Sequence, residues 1–330
     1  MCTADGTWFR HPHSNRTWSN YTNCVNWDHV NIINNINTVN IIILIISIIA
    51  LLVSLIIFSV LREIFCSRVL VHMNLFLALL LNNISWLLVY SIVYNIDDHV
   101  EDPLLCRVLY CLTMFFMMST YFWALCEAIF LWVLVKTWVL PHHVVRHLSV
   151  LGWSGPLLCV VPHILYKYFE ENELCWMEKG DSNHILVIPT AIIMIINLVV
   201  MVMVVRTIKN RPQVQSSAES IKLKNYLKMI SILMPIFGLH FLLLPVRPES
   251  GSSYEFLYEL LSSVNTSSQG ILVSVLLCFT NHDVITSIKK RIRRHQQNSP
   301  TNTHIQLQAL SVQRNSKSEE VIELNQNTEC

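Results

Sequence analysis

IIILIISIIALLVSLIIFSVL, residues 41–61, is a run of 21 residues without a single charge. At about 1.5 Å of rise per residue, a helix of that length covers roughly 30 Å, the thickness of a bilayer's hydrocarbon core. Six further apolar stretches follow at residues 69–94, 104–135, 148–169, 185–205, 230–246 and 256–279, and 230–246, the sixth of the seven, is the shortest. Seven crossings put the two chain ends on opposite faces, and seven is the count of a signalling receptor more often than of a transporter.

The loops between the stretches alternate in charge. Arg62 and Arg68 lie between the first two spans. Arg206, Lys209, Arg211, Lys222, Lys224 and Lys228 lie between the fifth and sixth, and Lys289, Lys290, Arg291, Arg293 and Arg294 follow the seventh. The opposite set is acidic: Asp97, Asp98, Glu101 and Asp102, then Glu170, Glu171, Glu173, Glu178 and Asp181, then Glu249, Glu255 and Glu259. Lys and Arg accumulate on the cytoplasmic side, so the N-terminus is expected outside and the C-terminus inside, in the plasma membrane. The second inner loop is less basic, with Lys136, Arg146 and three histidines.

Composition agrees with a membrane protein, at 53% hydrophobic and 14% charged residues. A formal net charge of +1 provides no pull towards nucleic acid. The expected fold is an all-α membrane protein. A seven-transmembrane helix bundle spans 38–281, a short amphipathic helix eight spans 282–297, and a polar tail at 298–330 is expected to be disordered. Residues 1–37 form an outer segment in which no signal peptide is visible, so the first span would direct insertion itself. Cys330 is the last residue rather than the fourth from the end, which excludes a prenylation signal.

Of the ten cysteines, Cys106 and Cys175 stand out, because both fall on the oxidising face, where disulfides persist. A bridge between them would pin the second outer loop to the third helix; the duller alternative is two unrelated thiols. Cys66, Cys111, Cys126, Cys159 and Cys278 read as small buried hydrophobes. No cysteine–histidine spacing suggests zinc, and no metal or cofactor is expected. Two glycosylation triplets begin at Asn15 and Asn20. A third, at Asn83, falls inside the second span, where no oligosaccharide can go.

Ionisable groups in a bilayer are costly and are functional candidates. Counting turns places His72 and Glu127 at one depth, in the inner third of spans two and three. There they could share a hydrogen bond that ties two helices, either as a switch or simply as a satisfied core pair. Asn82, Thr120, Asn197, His240 and Gln269 could form a second polar cluster, a pocket floor, although any one alone would usually be interhelical glue. Pro156, Pro189 and Pro235 would kink spans four, five and six, and Pro235 with Gly238 is a plausible hinge; packing tolerance explains that pair equally well. One enzyme reading needs weighing. Gly152-Trp153-Ser154-Gly155 matches the nucleophile motif of rhomboid intramembrane proteases, with His240 as an imaginable base. A four-residue match is weak, and a chain with only seven glycines lacks the close helix packing a buried Ser–His dyad requires. No internal repeat supports a transporter.

With these residues in view, the chain resembles the secretin-type (class B) peptide-hormone receptors, within them the calcitonin and calcitonin-receptor-like group. Asp5-Gly6-Thr7-Trp8-Phe9-Arg10-His11-Pro12, Ser14-Asn15-Arg16-Thr17-Trp18 and Asn20-Tyr21-Thr22 to Cys24 are similar to the end of that family's extracellular hormone-binding domain. The similarity continues through Cys66-Ser67-Arg68, His72-Met73-Asn74-Leu75-Phe76, Tyr121-Phe122-Trp123, Cys126-Glu127, Leu151-Gly152-Trp153 and Cys175-Trp176. It ends with Arg247-Pro248, Gln269-Gly270 and Cys278-Phe279 with Asn281. The rhodopsin-like pattern is missing, with no Asp-Arg-Tyr after the third span and no Asn-Pro-x-x-Tyr in the seventh.

The resemblance implies a peptide hormone ligand and a heterotrimeric G protein, typically the stimulatory type that raises cyclic AMP. A single-span receptor activity-modifying protein can be a further partner, and membrane lipid surrounds the bundle. It implies an inactive-state polar lock at Arg68, His72 and Glu127. The expected G-protein face comprises Arg68, Lys222, Lys224, Lys228 and Asn281, and no catalytic residue is expected. The family's extracellular domain has six cysteines, and here only Cys2 and Cys24 resemble members of that set. Residues 1–37 therefore read as a truncated remnant, and the rival reading is a non-signalling isoform acting as a decoy or dominant-negative partner. Ile230, Leu277 and Thr120 stand where the family carries threonine, tyrosine and asparagine.

Overall fold

A computed structural model describes residues 27–61, 66–94, 103–137, 142–171, 176, 181–209 and 255–297. The described chain is helical: α1 (Trp27–Val60), α2 (Ser67–Val89), α3 (Pro103–Thr137), α4 (His142–Glu170), α5 (His184–Lys209), α6 (Glu255–Ser274) and α7 (His282–Gln297). The seventh apolar stretch is α6, and α7 is the segment read as helix eight. Six described helices are long and apolar enough to cross a membrane. The apolar stretch at 230–246, with its hinge pair Pro235 and Gly238, lies outside the described residues.

Helix limits run past the apolar stretches. α1 begins at Trp27, well before the apolar run, and its 34 residues extend about 51 Å. The polar, asparagine-rich turns at its start add little cost, because propagating a nucleated helix is far easier than starting one. α2 and α6 both end in a π turn, at Tyr90–Tyr94 and Val275–Phe279. Pro156 and Pro162 lie inside α4, and Pro189 lies inside α5.

α3 is the hub and packs against α2, α4 and α5, while α1 packs between α2 and α6. Within its apolar run, α1 turns its polar side chains inwards and its isoleucines outwards. Along α1 the buried stripe reads Asn40, Leu44, Ser47, Leu51, Ser54, Phe58, and the exposed stripe is Ile42, Ile45, Ile49, Leu52, Val53, Ile56. In lipid no hydrophobic gradient drives helices together, so small and polar side chains that allow close backbone approach take the interface.

Gly270 of α6 shows how close that approach is. A methyl there would overlap Ser47 and Leu51 of α1 and come within 3.0 Å of Asn83 Nδ2 on α2. Asn83, set aside as a glycosylation triplet, is buried and donates to Ser47 Oγ at 2.8 Å. The Gly-Trp-Ser-Gly motif is likewise a packing device. Gly152 abuts the Trp123 indole and Gly155 abuts the Phe122 ring. Trp153 donates to Asn74 Oδ1 at 3.0 Å, whereas Ser154 is exposed and donates to the Val150 carbonyl one turn back.

These contacts predict unequal tolerance. Gly270→Val should cost about 1–3 kcal/mol through overpacking, read as a lowered melting temperature of the detergent-solubilised protein. Ser154→Ala should stay within about 0.5 kcal/mol of the parent. A Gly270→Val protein as stable as the parent would refute the three-helix contact.

Candidate functional site

Towards the end of the bundle that carries α7, hereafter the basic end, α2 and α3 meet through two buried ionisable groups. His72 Nδ1 lies 2.6 Å from Glu127 Oε1, with 1% and 2% of the side chains exposed. A contact that short needs one proton between the two atoms, whichever group carries it. Removing either partner takes a hydrogen bond from a group that is almost wholly buried.

Arg68, one turn earlier on α2, reaches the other way. Its guanidinium lies 3.7 Å from Asp283 in the first turn of α7, and both side chains are about 30% exposed. Asn281 caps that turn by accepting from the Asp283 N–H at 3.0 Å, and its amide donates to the Leu277 carbonyl at 3.3 Å. Arg291, further along α7, donates to the Val60 carbonyl at the end of α1 at 2.7 Å. Lys222, Lys224 and Lys228 lie outside the described residues.

The second polar group is buried throughout: Asn82, Thr120, Asn197 and Gln269 each expose 3–4% of their surface. Thr120 donates to the Met117 carbonyl within its own helix. Oδ1 of Asn82 and Oδ1 of Asn197 have no hydrogen-bond partner among the described residues. His240 lies outside the described residues.

At the opposite end is a cluster that sequence reasoning missed. His163 on α4 sits between two partners, with Tyr110 Oη at 2.8 Å from Nε2 and the Ser182 carbonyl at 3.0 Å from Nδ1. A carbonyl only accepts, so Nδ1 carries the proton and Nε2 accepts from the tyrosine. One turn on, Lys167 is 2% exposed and pairs with Glu171 at 2.7 Å. Glu171 also accepts from the Ser182 hydroxyl at 2.8 Å and from its N–H at 3.2 Å. The Lys167 bond first, then those from Ser182, hold the Glu171 carboxyl at about 2, well below the carboxylate range. The available signal was Lys167 and Glu171 at i, i+4 near the end of an apolar stretch.

Trp176 completes this end. Its backbone φ is +58°, rare for a bulky residue. Its ring lies under the Arg107 guanidinium at 5.1 Å and meets Tyr110 and Tyr168 edge-on at 6.4 and 6.5 Å. Cys106, next to Arg107, is fully buried. Its expected partner Cys175 lies outside the described residues, as do the triplets at Asn15 and Asn20. Among the described residues no cluster of His, Cys, Asp and Glu could hold a metal ion.

The profile of the 7 transmembrane receptor (Secretin family) matches residues 33–273. The chain belongs to the secretin family of seven-transmembrane receptors. It is 31% identical over 304 residues to the calcitonin gene-related peptide type 1 receptor of Xenopus laevis, covering 89% of this chain and 63% of that protein. It is also 31% identical over 300 residues to the calcitonin receptor of Homo sapiens, covering 88% and 62%. With the calcitonin receptor of Cavia porcellus it shares 32% over 302 residues, again 88% and 62%. The chain therefore spans a little over three fifths of the length of these relatives. This is a receptor family, not a family of enzymes, and the packing role of the Gly-Trp-Ser-Gly glycines fits that membership.

Two outcomes are expected from this geometry. His72→Ala and Glu127→Ala should each cost about 1–3 kcal/mol. The double variant should fall short of their sum by about 0.6–1.7 kcal/mol, measured by unfolding in micelles; strict additivity would break the pair. At the opposite end, a carboxyl with a lowered folded value contributes fully above the ordinary range and is lost only as pH falls towards that value. Exchange protection of the Ser182 amide, corrected for intrinsic rate, should therefore hold from about pH 7 to about pH 5 and fall progressively towards about pH 2, and Glu171→Ala should lower it across the upper range. A midpoint near the ordinary carboxylate value would refute the brace.

Proposed function

We propose that this chain is the membrane-embedded signalling part of a receptor for a calcitonin-like peptide hormone. In this reading it couples to a heterotrimeric G protein of the stimulatory, cyclic-AMP type. The observation that carries the reading is the buried His72–Glu127 contact between α2 and α3, near the basic end of a secretin-family bundle. A desolvated pair of this kind is two-state: it is made in one helix arrangement and must be released or re-satisfied in another. Arg68 belongs to the same inactive-state lock and hands its charge to Asp283 of α7.

Release would let the sixth span swing about Pro235 and Gly238 and open the basic end to the G protein. Arg68, Lys222, Lys224, Lys228 and Asn281 are the proposed contact set, facing the cytoplasm by loop charge. The peptide would enter from the opposite end, over a pocket floor of Asn82, Thr120, Asn197, His240 and Gln269. The amide oxygens of Asn82 and Asn197, without a partner among the described residues, suit such a floor, because a ligand could supply donors to them. A Cys106–Cys175 bridge would hold the outer loop, and the stacking of Trp176 against Arg107 supports it. The plasma membrane, an extracellular N-terminus glycosylated at Asn15 and Asn20, and association with a receptor activity-modifying protein complete the proposal.

The test is cyclic AMP in transfected cells, with and without ligand. Ile230 and Leu277 offer no hydrogen bonds, and two lost interhelical bonds of about 0.6 kcal/mol each weaken the inactive state about sevenfold. Ile230→Thr with Leu277→Tyr should lower ligand-free cyclic AMP at matched surface expression; unchanged or higher signalling would defeat the lock. A full-length form that binds its peptide yet evokes no second messenger would favour the decoy reading instead.

A further inference from the structure

Two contacts fix the depth of α7. The span carried by α6 ends at Phe279, three residues before α7 starts, and the first span ends at Val60, whose carbonyl accepts from Arg291. His282 and Arg291, about 13 Å apart along one helix, therefore both sit at the membrane boundary, and α7 lies along the surface. Its sides then follow from the helical repeat. Val284 is buried and Ile288 packs on the core, so that edge faces the bundle. Ile285 and Ile292 lie next around the helix and are 37% and 52% exposed. Lys289 and Arg293, both exposed and one turn apart, adjoin those isoleucines on the far edge, and Arg291 lies on the bundle edge. Apolar side chains at the boundary, bordered by cations, are the arrangement of a helix seated in an anionic lipid surface.

We infer that α7 holds one multiply phosphorylated lipid headgroup of the phosphoinositide class, gripped by Lys289 and Arg293 above Ile285 and Ile292. Two cations one turn apart can engage two phosphates of the same headgroup, which a singly charged headgroup cannot offer. Charge complementarity favours lipid over a protein partner here, because the isoleucines beside the cations lie at the depth of the hydrocarbon edge. The inference rests on the helices crossing a membrane, not on coupling to a G protein.

The test places the full chain in nanodiscs of phosphatidylcholine, adding phosphatidylserine or phosphatidylinositol bisphosphate at matched total charge, and counts retained lipids by native mass spectrometry. One phosphoinositide should be retained with roughly tenfold preference over phosphatidylserine. Lys289→Gln with Arg293→Gln should remove that preference and leave the melting temperature unchanged, whereas Lys136→Gln should keep it. Equal retention of both lipids by the parent protein would reduce the site to general surface attraction and overturn the inference. Retention that survives the double substitution would also overturn it, by moving the lipid elsewhere. The lipid comparison on the parent protein decides the matter even if the double variant does not fold.

Discussion

A helix in hydrocarbon must satisfy its own backbone, and once it has done so almost nothing but close packing and buried polar contacts can hold it to its neighbour. That constraint organises this bundle. Gly270 admits Ser47 and Leu51, Gly152 admits the Trp123 ring, and Gly155 admits Phe122. With so few glycines in the chain, each one in the described spans marks a place where two helices touch. The polar contacts then set rotation and register: Asn83 to Ser47, Trp153 to Asn74, His72 to Glu127.

The two ends of the bundle use their polar groups differently. The His72–Glu127 pair is buried and joins α2 directly to α3, so its energy depends on how those two helices sit. The cluster at Tyr110, His163, Lys167, Glu171 and Ser182 is a connected chain in which each member has a partner, which makes it a brace rather than a trigger. Between them, Asn82 and Asn197 keep amide oxygens that no described residue satisfies.

Much of this was legible in the residues, for physical reasons. Hydropathy reports hydrocarbon thickness, so the stretches fell where the described spans fall, but it does not report where a helix starts. α1 accordingly begins at Trp27 and not in the apolar run. Counting turns from a loop gives depth, which put His72 and Glu127 on one level. It does not give rotation about the helix axis, so the turn of Arg68 towards Asp283 was not readable. The brace was illegible for a further reason: Tyr110, His163 and Ser182 belong to three different elements, and no period or spacing links them. At Ser154 a four-residue match to a nucleophile motif carries no such geometry: the hydroxyl is exposed and bonds within its own helix, while the flanking glycines do the packing.

The wedge of Gly270 against Ser47 and Asn83 joins the earliest helix of the bundle to the last. A ribosome releases α1 long before α6, so during synthesis the stripe of Asn40, Ser47 and Ser54 faces lipid with its partner helix still unmade. Closure of this one seam therefore comes late: a chain cut short before Gly270 would leave the Ser47 and Leu51 face of α1 without the helix that covers it.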